Sequence, residues 1–202
     1  MNKFKRINAA LFLLLGIMTF GTLAAQDAYV DGVQAMKDGD NRGAEFHFRR
    51  ALQRTPGDHS MQQMLAHAIM NQRRYREADS LLYSIVQADS NHAGTYWYLG
   101  LSQVKQQQDS TALHWFKTYI RKTVNQNNPN VSAWLQAGSC YRRMLHTRGL
   151  NGGQLDDMLS LYRQYLKLNP LDPMVHNLTA FIDKVEELRP SDPNRVWVWT
   201  ER

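Results

Sequence analysis

The sequence predicts an all-α chain of repeated helix–turn–helix units, and three columns of residues predict it. Ala44, Ala78 and Ala112 stand 34 apart. So do Phe48, Leu82 and Phe116, and so do Gly32, Ala66 and Gly100. A fixed period of that length with two helical stripes per unit marks a stacked repeat. No such unit buries its apolar face alone, so neighbours cover one another.

The order of the chain begins with a targeting pattern. Lys3, Lys5 and Arg6 precede the apolar run Ile7–Phe20, and Thr22-Leu23-Ala24-Ala25 ends it in small residues. That order predicts a secretory signal peptide over 1–25, cleaved after Ala25. The cleaved chain is then extracytoplasmic, in a periplasm, with no membrane insertion. The formal charge of +6 owes three units to that segment, which holds no acid; the other 21 bases face 18 acids. A remainder of +3 argues against a nucleic-acid surface. Cys140 is the single cysteine, so no internal disulfide forms.

A repeat domain is expected over 26–189. Repeat one covers about 26–58, with helices near Asp27–Lys37 and Arg42–Arg54; Asp38-Gly39-Asp40 makes its turn and Thr55-Pro56-Gly57-Asp58 stops it. Repeat two covers 59–92, with Leu65, Ala66 and Ile69 on one helix and Ala78, Leu82 and Ile85 on the next. Spacings of three and four put each set on one helical face. Repeat three covers 93–126 and shows Tyr96, Leu99 and Gly100, then Ala112, Phe116 and Tyr119. A divergent fourth repeat covers 131–171. Its first helix carries Trp134, Ala137, Gly138 and Tyr141; its turn, through Gly149-Leu150-Asn151-Gly152-Gly153, is enlarged by about eight residues and reads as a loop. Its second helix is expected near Leu155–Leu168. A capping helix over 173–188 carries Val175, Leu178, Phe181, Ile182 and Val185 on one side. A tail, 190–202, follows Pro190 and Pro193.

Between Ala28 and Pro170 the chain resembles the tetratricopeptide-repeat family. Tyr96, Leu99 and Gly100 match the first helix of that pattern, and Ala44, Phe48, Ala51 and Pro56 match the second. Asp31 departs where leucine is usual, and repeat four lacks the second-helix alanine. The resemblance implies a right-handed α-solenoid, capped at its C-terminal end, whose first helices line a concave peptide-binding groove. It implies no catalysis.

In that register the groove takes Tyr29, Val33 and Lys37 from repeat one and Gln63, His67 and Asn71 from repeat two. Trp97, Leu101 and Lys105 follow from repeat three, and Leu135, Ser139, Arg142 and Arg143 from repeat four. The stripe is aromatic and apolar in its middle and basic towards one end, which suits an extended peptide with a carboxylate terminus. Trp97 and Tyr29 could alternatively serve as stacking platforms in a carbohydrate- or cell-wall-binding module. Trp197 and Trp199, two apart in the tail, form a second candidate, either a strand or anchor offered to a partner or a pair of indoles folded back on the capping helix.

No catalytic set, metal site or cofactor motif is read. The seven histidines are scattered, with no His-Glu-x-x-His, and Gly152-Gly153 lacks the Lys-Ser/Thr of a phosphate cradle. Cys140 reads as a small buried residue. The expected function is non-enzymatic: a scaffold or adaptor in a bacterial cell envelope that binds a protein or peptide partner.

Overall fold

A computed structural model describes residues 24–126 and 130–200. The expectation of a signal peptide therefore lies almost wholly outside the described residues, as does the middle of the Asn125–Asn130 loop. Helix α1 covers residues 24–37. It is followed by α2 (Asn41–Leu52), α3 (His59–Asn71), α4 (Tyr75–Ala88), α5 (Ala93–Lys105), α6 (Asp109–Thr123), α7 (Ser132–Thr147), α8 (Gly152–Leu168) and α9 (Val175–Leu188). The described residues form two compact units, one up to Ser90 and one from Asn91. Unit 1 holds α1–α4 and unit 2 holds α5–α9. No described helix is long and apolar enough to cross a membrane.

Each hairpin is locked by an aromatic or aliphatic side chain lying on a small residue of the preceding helix. A Cβ at Gly32 would stand 2.6 Å from the Phe48 ring; at Gly100 it would stand 2.5 Å from the Phe116 ring. Ala66 and Leu82, both buried, hold the same places in the second hairpin. The small residue lets two helices cross closely, and the ring fills the groove beside it. Ala28, Ala51 and Met61 form a cluster in unit 1, flanked by Tyr29 and Leu52. In unit 2, Leu99, Phe116, Ala137, Met158 and Tyr162 are closed to solvent.

A fourth column with the same period lies in the turns. Gly39, Arg73 and Gln107 all take left-handed backbone, with φ of 79°, 64° and 60°. The next amide closes back five residues in each case: Asp40 to Ala35 (2.9 Å), Arg74 to Ile69 (3.3 Å) and Gln108 to Gln103 (2.9 Å). That bond satisfies a carbonyl which the helix end leaves open.

The fourth hairpin corrects the expected loop. Gly138 lies against the Tyr162 ring, its Cβ position 2.6 Å away, so this pair is 24 apart where Gly32–Phe48 and Gly100–Phe116 are 16 apart. The extra eight residues are shared equally. Gly138 to the left-handed Gly149 is 11 residues, against 7 from Gly100 to Gln107; Gly149 to Tyr162 is 13, against 9 from Gln107 to Phe116. Four residues are close to one turn of 3.6, so each helix gains a turn and keeps its buried face. Accordingly α8 begins at Gly152, not Leu155, under a capping box in which Asn151 and Gln154 bond each other's backbone. Smaller corrections follow the same logic. Helix α1 is already helical at residue 24, and Ala25 is buried. Helix α9 begins at Val175, not Pro173; Asp172 accepts the Met174 amide at 2.7 Å ahead of it. Val175 is only half-buried.

Between hairpins of unit 1, Glu45 gathers three donors: Arg49 (2.8 Å), Arg74 (2.6 Å) and the Gln72 amide (2.8 Å). Burial alone would raise its pKa, but these hydrogen bonds outweigh burial and hold the carboxyl below its ordinary 4.5. A depressed carboxylate contributes stability above its unfolded pKa and loses it as pH falls through the folded value. Glu45→Gln is expected to cost about 1–2 kcal/mol at neutral pH. It should also flatten the acid limb of the stability curve between about pH 5 and 3. Urea melts across that range check this, and an unaltered acid limb would remove the network from the account.

Candidate functional site

The predicted inner-face residues fall on α1 and α3 of unit 1 and on α5 and α7 of unit 2. In unit 1, Tyr29 is half-buried with its ring 5.7 Å from Phe48. Val33 is half-buried and Lys37 exposed. Gln63 is half-buried. Burial lowers the pKa of His67, which favours the neutral ring. Asn71 is turned to structural use: its amide donates to the Asn41 side chain at 3.1 Å.

In unit 2, Trp97, Leu101 and Lys105 descend one face of α5 at spacings of four. Trp97 and Leu101 are half-buried and Lys105 is exposed. The Trp97 ring lies 5.4 Å from Phe116 and 5.9 Å from Tyr119, so part of its surface belongs to the hairpin. Leu135 and Ser139 are half-buried on α7. Ser139 bonds the Tyr162 hydroxyl, whose pKa burial pushes up to about 12.

The two arginines do not form the free basic end that the register suggested. Arg143 pairs with Asp109 at 2.6 Å and donates to the Cys140 sulfur at 3.3 Å. Arg142 lies 4.1 Å over the Phe181 ring, a cation–π contact. Both are held by unit 2 itself, for a tertiary reason: α6 supplies the acid and α9 the ring. Lys105 remains as the exposed base of the α5 stripe.

The tail is packed on its own unit and is not an open anchor. Trp199 is 6% exposed. Its ring stacks on Phe181 at 5.4 Å and on Trp197 at 5.5 Å, with His146 at 5.7 Å. Residues Leu150 and Trp197 form an antiparallel bridge. The sequence reading missed His146 and Lys184 as partners of this stack; nothing local marks them, since they lie on α7 and α9.

Two clusters bear on chemistry. Cys140 is closed to solvent, and burial pushes its thiol up to about 12, so no thiolate is present near neutral pH. Lys117 contacts Asp157 at 2.6 Å and the Tyr141 hydroxyl at 3.0 Å. Burial works against its charge, but those hydrogen bonds outweigh burial and raise its pKa. An amine held protonated is a clamp across α6, α7 and α8, not a nucleophile. Among the described residues no group of three or more His, Cys, Asp or Glu could hold a metal ion.

No protein-family model matches the chain, and no curated protein matches it by sequence. Solved structures do match by fold. PilF of Pseudomonas aeruginosa gives a TM-score of 0.68 at 19% identity, over 83% of this chain and 71% of that one. MamA of Desulfovibrio magneticus RS-1, from residue 41 on, gives 0.63 at 15% identity, over 81% and 86%. The first tetratricopeptide-repeat domain of Spaghetti (RPAP3), there bound to the HSP90 peptide SRMEEVD, gives 0.54 at 14%, over 61% and 97%. At such identities the likeness is one of fold: this chain has the tetratricopeptide-repeat fold, all-α and built of helical hairpins.

Proposed function

We propose that this chain is a non-enzymatic interaction module of a bacterial cell envelope that holds an extended partner segment on its inner helices. The observation that carries the reading is the α5 stripe. Trp97, Leu101 and Lys105 run from half-buried aromatic to exposed base along one face, and Trp97 shares the Phe116 ring with the adjoining Gly100. A surface graded in this way suits a segment with an apolar side chain followed by a carboxylate. The peptide held by the RPAP3 domain supports the same use of the fold. The peptide reading is favoured over sugar stacking because Tyr29 and Trp97 already spend ring surface on Phe48, Phe116 and Tyr119.

The test uses substitutions that leave the hairpin intact. Lys105→Glu and Leu101→Glu are each expected to weaken binding of a partner captured from envelope extract by at least about tenfold, or about 1.4 kcal/mol. Calorimetry measures the affinity, and circular dichroism should show unaltered helicity. Full affinity in both variants would move the partner off α5. The envelope assignment rests on the basic, apolar and small-residue order of residues 1–25. Protein isolated from its host is expected to begin at Gln26 by mass spectrometry; an intact Met1 would overturn it.

A further inference from the structure

The fourth hairpin closes its turn differently from the other three, and the difference is filled by the tail. Its five-residue closure falls one residue earlier, the Gly149 amide donating to the Met144 carbonyl at 2.9 Å, and α8 starts three residues after its left-handed glycine where α2, α4 and α6 start two after theirs. The tail takes the groups beside that bond: the Leu150 amide donates to the Trp197 carbonyl at 3.0 Å, and the Leu145 carbonyl accepts from the Trp199 amide at 3.2 Å. The Trp197 amide returns to the Leu150 carbonyl at 2.9 Å, and the His146 ring nitrogen lies 2.9 Å from the Trp199 carbonyl.

The seat is shaped for this segment. A Cβ at Gly149 would meet Val196 at 2.7 Å, the Trp197 carbonyl at 2.9 Å and Val198 at 2.9 Å; one at Gly152 would meet Pro193 at 2.8 Å. The Gly152 amide also donates to the Pro193 carbonyl at 2.8 Å. Phe181 takes Trp199 nearly parallel, at 9°, and the Lys184 ammonium stands 5.2 Å over the same indole. By contrast Arg195, Val196 and Val198 remain exposed. What the seat grips is an extended main chain and two rings at alternate positions, the grammar of strand-type peptide recognition.

The Gly149–Met144 bond closes the turn without the tail, so the seat can empty while the hairpin stands. A surface segment that can open without its helices can be displaced by a ligand that fits the same seat. We propose that the α7–α8 turn of unit 2 is a binding site for an extended peptide carrying aromatic side chains two residues apart, with residues 195–200 as its exchangeable resident. The seat shares no residue with the α5 stripe.

The probe is a labelled synthetic peptide of residues Ser191–Arg202. The protein is the full chain, as wild type and as Trp197→Ala/Trp199→Ala, followed by fluorescence anisotropy. A tethered tail competes at an effective concentration on the order of millimolar. The variant is therefore expected to bind the peptide saturably and at least about tenfold more tightly than wild type. A peptide with both tryptophans replaced by alanine should bind the variant at least about tenfold more weakly. Equal binding by the two proteins, or none to a variant of normal helicity, overturns the proposal. Should the variant lose helicity, hydrogen exchange on the wild type decides. The Leu150, Trp197 and Trp199 amides are expected to exchange at least about tenfold faster than that of Tyr162, showing that the tail opens without the helices. A common rate for all four would overturn it.

Discussion

Gly100→Ala is expected to destabilise the chain by about 1–3 kcal/mol, although alanine is the better helix former. The added methyl would stand 2.5 Å from a ring that has no solvent-exposed side to retreat towards, because Phe116 is fully buried. The second hairpin shows the remedy: it holds Ala66 and Leu82 in the equivalent places. Phe116→Leu alone leaves a cavity and should also cost stability. Combined with Gly100→Ala it recreates the pair of the second hairpin, so the double variant should be at least about 1 kcal/mol more stable than the sum of the singles predicts. Thermal and urea melts of the four proteins complete the cycle. Strict additivity would mean that the two side chains do not press on one another.

A second large effect tests the placement of the eight extra residues. Tyr162→Ala is expected to cost about 3–5 kcal/mol, since it empties a fully buried site over Gly138. Counting 16 from Gly138, as the other hairpins do, would instead nominate Gln154 as the locking residue. In the structure Gln154 only completes the cap of α8, bonding the Asn151 amide at 3.1 Å, so Gln154→Ala should cost about 1 kcal/mol or less. Similar losses in both variants would place the insertion elsewhere.

The contrast between those two residues shows what could be read from sequence. The columns Gly32/Ala66/Gly100 and Phe48/Leu82/Phe116 were legible because packing across a hairpin demands residue size at fixed spacing. The turn column was not, because Arg73 and Gln107 adopt left-handed backbone without the glycine or asparagine that usually announces it. Gly149 and Gly152 were visible but misread. Glycine signals loop in general, whereas here it makes room for a segment more than 40 residues further on, which no local pattern specifies. That Arg142 and Arg143 belong to α7 followed from the period. Their engagement did not, because Asp109 and Phe181 are neighbours only in three dimensions.

Synthesis gives the tail's bridge a calendar. Gly100 meets Phe116 after 16 further residues, so the first three hairpins can each be completed soon after they emerge. The fourth lacks its partner for longer, because Trp197 follows Leu150 by 47 residues. At 5–20 residues per second that is a wait of roughly 2–10 s. Through that interval the Gly149–Met144 bond already closes the turn, while the Leu145 carbonyl and Leu150 amide stay with water. The fourth hairpin can thus stand closed on the ribosome, and it exchanges water for the tail only when the tail has been made.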